Sequence, residues 1–245
     1  MRKINLILLI AALFVVNISV AQNDSNSTSS TSMNSNDYQK IRIGIYGDFG
    51  FSYLKPKSND FTSEGIRGSY SYGLVVDNNF TKNYTFSTGI RFSSYGGKLQ
   101  FKDTVPSNGT MMRSYRVNYL EIPLTLKLKT NEMGYFKPFV QVGLNNGFRL
   151  SAYSDNEFRS VGSTSAVVTE NIDISSETTF YRLSLEVGVG TEFSISQSLS
   201  AFALLSFQNG LTNNMKADHY DYSENRATKE SAMFKKFALT VGLLF

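Results

Sequence analysis

The chain has 245 residues, 41% hydrophobic and 13% aromatic, with 18 glycines, only 4 prolines, no tryptophan and no cysteine. Without cysteine there is no disulfide, no thiolate metal site and no acylated lipoprotein leader. The formal charge of +4 includes Arg2 and Lys3; setting these aside as part of a leader leaves about +2, too small an excess to point to a nucleic-acid partner.

Arg2 and Lys3 precede an apolar run from Ile4 to Val16 and the small residues Ser19-Val20-Ala21. That is the layout of a secretory signal peptide over residues 1–21, with cleavage between Ala21 and Gln22. The rival reading is an uncleaved anchor, but the run falls short of the roughly 20 residues a helix needs to cross a bilayer. Gln22 to Lys40 is rich in Ser, Asn and Thr and has almost nothing to bury, so it reads as a disordered periplasmic tether.

From Ile41 to Phe245 the character changes to eight segments in which apolar residues alternate with polar or small ones, the period-2 signature of strands with two unlike faces. The first sets Ile41, Ile43, Ile45, Phe49 and Phe51 against Arg42, Gly44, Tyr46, Asp48 and Gly50. The second runs from Tyr70 to Phe80 and is less clean. The third sets Phe86, Ile90 and Phe92 against Ser87, Gly89 and Arg91. The fourth is the clearest: Leu120, Ile122, Leu124, Leu126 and Leu128 oppose Tyr119, Glu121, Thr125, Lys127 and Lys129. The fifth sets Val140, Val142 and Leu144 against Gln141, Gly143 and Asn145, and the sixth sets Leu183, Leu185, Val187 and Val189 against Arg182, Ser184, Glu186 and Glu192. The seventh, Leu199 to Leu211, puts Phe202 and Leu204 on the nominally polar face. The eighth carries Phe237, Leu239, Val241, Leu243 and Phe245 on one face.

The joins alternate in length. Thr81–Asn83, Asn131–Gly134 and Ile195–Ser198 are tight, whereas Lys55–Gly68, Lys102–Met112, Ser154–Thr178 and Thr212–Ala232 are long and polar. Short turns at one end and long loops at the other are the plan of outer-membrane barrels. The predicted fold is therefore all-β, a transmembrane antiparallel up-and-down barrel of about eight strands in the cell outer membrane, with the eighth strand pairing with the first. The near-neutral mean hydropathy agrees, because only alternate residues meet lipid. A soluble sandwich or a lipocalin-like barrel also alternates. In those folds the apolar face points inward and the lysines point out; here the charged face is rich in Gly, Ser and balanced signs, which suits a narrow lumen. Arg42, Arg91, Lys127, Arg149 and Arg182 are expected to pair there with Asp48, Asp77, Glu121, Glu186 and Glu192.

The last strand, FKKFALTVGLLF, resembles the terminal signal of outer-membrane proteins, which implies that the barrel assembly machinery reads Phe245 and the apolar residues alternating before it. YLEIPLTLK (Tyr119–Lys127) and FKPFVQVGLNNG (Phe136–Gly147) resemble two consecutive strands of the PorT-like, porin-type outer-membrane β-barrel family of Bacteroidetes. The resemblance covers most of Ile41–Phe245. It implies a barrel with a structural or surface-interaction role, or, by the namesake branch, an accessory of a protein secretion or transport machine.

Chemistry is sparse. The one histidine, His219, lies in ADHYDYSEN beside Asp218 and Asp221. The cluster could be catalytic or, with Glu224, hold a divalent cation, but no serine motif or spaced calcium loop accompanies it, and a solvated loop is the favoured reading. Gly188-Val189-Gly190 lacks the Gly-Lys-Ser/Thr of a phosphate loop. Lys235 and Lys236 read as an interface-level flank, and Tyr53, Tyr72, Tyr84, Tyr95, Tyr115, Tyr135 and Tyr153 as aromatic girdles. No enzyme activity and no cofactor is expected; the partners are membrane lipid, the assembly machinery and an extracellular or secretion-system protein.

Overall fold

The structure, a computed structural model, describes residues 39–57, 60–103, 109–215, 218–221, 226–229 and 231–245. The leader, nearly all of the tether and Glu224 lie outside the described residues. The strands are β1 (Ile41–Pro56), β2 (Phe61–Ser63), β3 (Arg67–Asn79), β4 (Tyr84–Asp103), β5 (Gly109–Lys129), β6 (Phe136–Ser160), β7 (Val167–Asp173), β8 (Tyr181–Ser194), β9 (Ser200–Gly210), β10 (Asp218–Asp221), β11 (Arg226–Lys229) and β12 (Ala232–Leu244).

Eight of these close a ring of antiparallel pairs in the order β1-β3-β4-β5-β6-β8-β9-β12 and back to β1. Closure is between the two ends of the barrel sequence: Phe51 faces Phe237 and Gly44 faces Leu244, and the Phe245 amide donates to the Ile43 carbonyl at 2.7 Å. The ladder starts a little before Ile41, since the Asn79 amide donates to the Lys40 carbonyl.

Side chains follow the period of two. Leu124, Leu126, Val142, Leu144, Val187, Leu239 and Val241 point out and are exposed, while Glu121, Thr125, Lys127, Gln141, Glu186 and Thr240 point in and are buried. The two least regular segments obey the same rule. On β3, Tyr70, Tyr72 and Leu74 point out and Ser71, Val75 and Asp77 in; on β9, Leu205 points out and Phe202 and Leu204 in.

The tight turns stand where the sequence puts them, held by side-chain hydroxyls that stand in for a backbone turn. The Thr81 hydroxyl accepts from the Asn83 and Tyr84 amides, and that of Ser196 from the Leu199 amide. Gly134 supplies the positive φ of 67° in the β5–β6 turn. The opposite end departs from expectation. Most of Lys102–Met112 is strand, because β4 and β5 pair out to Asp103 and Gly109. Ser154–Thr178 is likewise structured: β6 continues to Ser160 and β7 folds back beside it. Within Thr212–Ala232, β10 and β11 form a hairpin, and His219 lies on its first strand opposite Thr228. Backbone pairing, which hydropathy alternation does not report in polar stretches, is what extends these strands.

Candidate functional site

The interior is filled in storeys. Toward the short turns, Val75, Phe139, Phe202, Leu204 and Leu244 form an apolar floor. Toward the long connections, Leu54, Leu99, Tyr115, Val117, Ile174, Met215 and Phe234 form an apolar cap. Asn214 ties the cap across the lumen: it donates to the Tyr119 hydroxyl at 3.1 Å and accepts from the Phe234 amide.

Between floor and cap lies a charged layer with two carboxylates at its hub. Glu121 accepts from Arg91 Nε (2.8 Å) and Ser93 (2.9 Å) on one oxygen, and from Arg182 Nη1 (2.7 Å) and the Tyr95 hydroxyl (2.9 Å) on the other. Glu186 accepts from Arg91 Nη1 (3.1 Å), Gln208 (3.0 Å) and Asn145 (2.8 Å) on one oxygen and from Gln141 (2.9 Å) on the other. The Arg182 guanidinium lies 4.2 Å from the centre of the Tyr95 ring. On the short-turn side, level with the floor or just beyond it, Asp77 accepts from Ser87 and Lys127, and Glu192 pairs with Arg42 and Lys129, each at 2.7 Å. Lys236 pairs with Asp48 at 2.5 Å and donates to Ser71. A desolvated charge is tolerable only beside its opposite, and each of these carboxylates has a cation within 3.1 Å, while Arg91 Nη2 and Arg182 Nε and Nη2 are buried without a hydrogen-bond partner among the described residues. A cavity of about 50 Å³ among Tyr46, Arg91, Lys127, Gln141 and Glu186 has room for a few waters, at ~10–15 Å³ each.

Nine of the ten residues expected in the lumen network thus meet there. Arg149 does not: it bonds instead to the carbonyl and hydroxyl of Thr178. It sits beside a bulge, where Asn118 faces Ser151 but Tyr119 faces Arg149, leaving Leu150 as the extra residue. Two lysines were missed. Lys129 was on the charged face but left out of the network, and Lys236 is no interfacial flank, because its neighbour Phe237 points out and alternation turns it inward. The same rule corrects two girdle tyrosines: Tyr95 and Tyr115 are buried inside, whereas Tyr72, Tyr84 and Tyr135 are exposed on the outer wall.

The wall is uneven in height. β4, β5 and β6 run for 20, 21 and 25 residues, about twice the 9–11 that a tilted strand needs to cross a bilayer. With β2 beside β4 and β7 beside β6, they make a five-stranded sheet standing up from the ring on the side of the long connections. Its rim carries exposed Val161, Val167 and Val168 and the exposed ion pair Arg159–Glu157, and the pair Arg116–Asp155 lies lower on its outer face.

A sequence model of the family described as outer membrane protein beta-barrel domain matches residues 20–216. The chain belongs to that family. Its ring is accordingly a barrel of the cell outer membrane, with the outward apolar belt in lipid. No curated protein sequence matches the chain. Among solved structures it is similar to Neisserial surface protein A (9% identity, TM-score 0.40, 84% of this chain and 98% of that one covered). It is also similar to OprG of Pseudomonas aeruginosa (10%, 0.41, 86% and 98%) and the outer membrane protease OmpT of Escherichia coli (9%, 0.31, 84% and 96%). Likeness at that level spans barrels of unlike names and assigns none of their roles here.

Lipid contact along the belt has a measurable consequence. Leu124→Arg, on the outward face of β5, is expected to cost about 2–4 kcal/mol if its level is the bilayer midplane, and less toward either interface. Urea unfolding in vesicles reads the loss; a neutral result would mean that Leu124 does not face hydrocarbon.

Proposed function

We propose that this protein is a non-conducting, non-enzymatic surface barrel whose tall extracellular sheet and loops bind a partner outside the cell. The observation that carries the reading is the contrast between the two halves. The lumen is occupied from floor to cap by side chains, while the wall is built well beyond the length that lipid requires. Eight strands enclose space only for their own inward residues, and here those are large, charged and paired. A strand pair extended into water for no transport purpose offers instead a rigid platform with an open edge at β7.

The PorT-like resemblance of Tyr119–Lys127 and Phe136–Gly147 supplies the second reading, a secretion-machine accessory. These segments form adjacent strands around Glu121, which makes them a lumen signature and leaves the partner open.

Two measurements on the whole protein test the proposal. In planar bilayers it is expected to give no stable openings; steady large conductance would refute it. A photo-crosslinker at Val168, on β7, is expected to trap an extracellular partner on intact cells, whereas one at Lys82 in a short turn is not. Trapping from Lys82 alone, to periplasmic or secretion components, would replace the first reading by the second.

A further inference from the structure

Between the lipid belt and the tall sheet, the outer face of β3–β6 changes character in successive register steps. One row across the four strands is Tyr72, Phe92, Leu120 and Phe148; the next is Tyr70, Ser94, Asn118 and Ser151; above it stands Arg116, opposite Tyr153. At the polar row the bulge at Leu150 bends the wall, and a groove of about 260 Å³ opens, lined by Tyr70, Tyr72, Phe92, Ser94, Asn118 and Ser151. The Tyr72 and Phe92 rings are stacked, 5.6 Å between centres and 23° apart, and both are exposed. Asn118 donates one N–H to Ser151 at 2.9 Å, and an amide has a second N–H and a carbonyl to offer.

We propose that this groove holds the sugar headgroup of a glycolipid in the outer leaflet. Aromatic faces meet the C–H face of a sugar ring, and an amide with neighbouring hydroxyls meets its O–H groups. The belt directly below accommodates acyl chains, and exposed Arg116 directly above, whose ion pair among the described residues is with Asp155 at 3.5 Å, is placed for a phosphate. Phospholipid supplies the chains and the phosphate but has no ring for the stacked pair and the amide. The inference concerns the lipid-level wall and stands apart from the proposed loop partner.

The chain has no tryptophan, so Phe92→Trp places a single reporter in the groove. In nanodiscs of phosphatidylcholine with rising fractions of rough lipopolysaccharide, its emission is expected to change and saturate. Adding Asn118→Ala and Ser151→Ala should shift the midpoint by about fivefold or more, with folding confirmed by heat-modifiability on gels. A control Leu239→Trp on β12 should show no saturation. An equal response to phosphatidylglycerol, or saturation at both reporters, would overturn the assignment. Native mass spectrometry of the unsubstituted protein needs no variant. One retained lipopolysaccharide is expected; a bare monomer, or a dimer without glycolipid, would refute the site.

Discussion

Glu121→Ala is expected to lower the unfolding free energy by about 3–5 kcal/mol, the cost of removing one partner from a buried ion pair. Glu121 and Arg182 are wholly buried and Arg91 nearly so, so water does not screen what is lost. The substitution leaves Arg182 without a carboxylate and Arg91 with Glu186 alone, and it withdraws the acceptor of Ser93 and one of the two acceptors of Tyr95. Glu121→Gln keeps the shape and one acceptor oxygen and should cost less. Combining Glu121→Ala with Arg182→Met should cost less than the sum of the two, since the second change removes a cation the first left unpaired. On the surface, Arg116→Ala breaks only the exposed pair with Asp155 and should stay within about 1 kcal/mol. Urea midpoints in vesicles measure all of these, Arg182→Met alone included. A Glu121→Ala protein within about 1 kcal/mol of the parent would mean that the buried ionic layer contributes little to holding the barrel.

The parts of this arrangement that were legible in the sequence are those governed by the period of two. Leu120 to Leu128 and Glu121 to Lys129 separate cleanly because a strand in a closed wall has one face in lipid and one in a crowded polar lumen. Lys236, Tyr95 and Tyr115 were equally available to that rule. Residue type misled there, since lysine and tyrosine also populate membrane interfaces. Phe202 and Leu204 looked out of register only because an apolar floor inside the barrel breaks the equation of inward with polar. Three features left no periodic trace. The bulge at Leu150, just beyond Arg149, is a backbone irregularity. The height of β4–β6 rests on pairing between polar segments. Which carboxylate meets which cation depends on the stagger of strands far apart in sequence: Arg42 and Glu192 touch across the lumen, 150 positions apart.

Gly50→Ala is expected to abolish most of the folded, heat-modifiable protein, while Gly47→Ala on the same strand leaves it nearly unchanged. Both lie in the β1–β12 seam, Gly50 opposite Ala238 and Gly47 opposite Val241. A Cβ on Gly50 would stand 1.9 Å from the Phe237 carbonyl oxygen and 2.7 Å from the Ala238 Cα, and these are backbone atoms that cannot swing aside. On Gly47 the nearest atom, the Ser71 carbonyl oxygen, is 3.8 Å away, an ordinary contact. Overpacking commonly costs up to about 3 kcal/mol. Here the cost falls on the seam where the chain ends meet, and prising it open exposes backbone groups to hydrocarbon at several kcal/mol each. Lower in the same seam, the reciprocal bonds between Ile43 and Phe245 hold the last residue against the first strand, so a seam forced apart at Gly50 also loosens the end that the assembly machinery is expected to read. The folded fraction in isolated outer membranes, resolved by gel mobility with and without boiling, decides the matter. If Gly47→Ala fails and Gly50→Ala folds, the seam closes in another register, one that no longer sets Gly50 against Ala238.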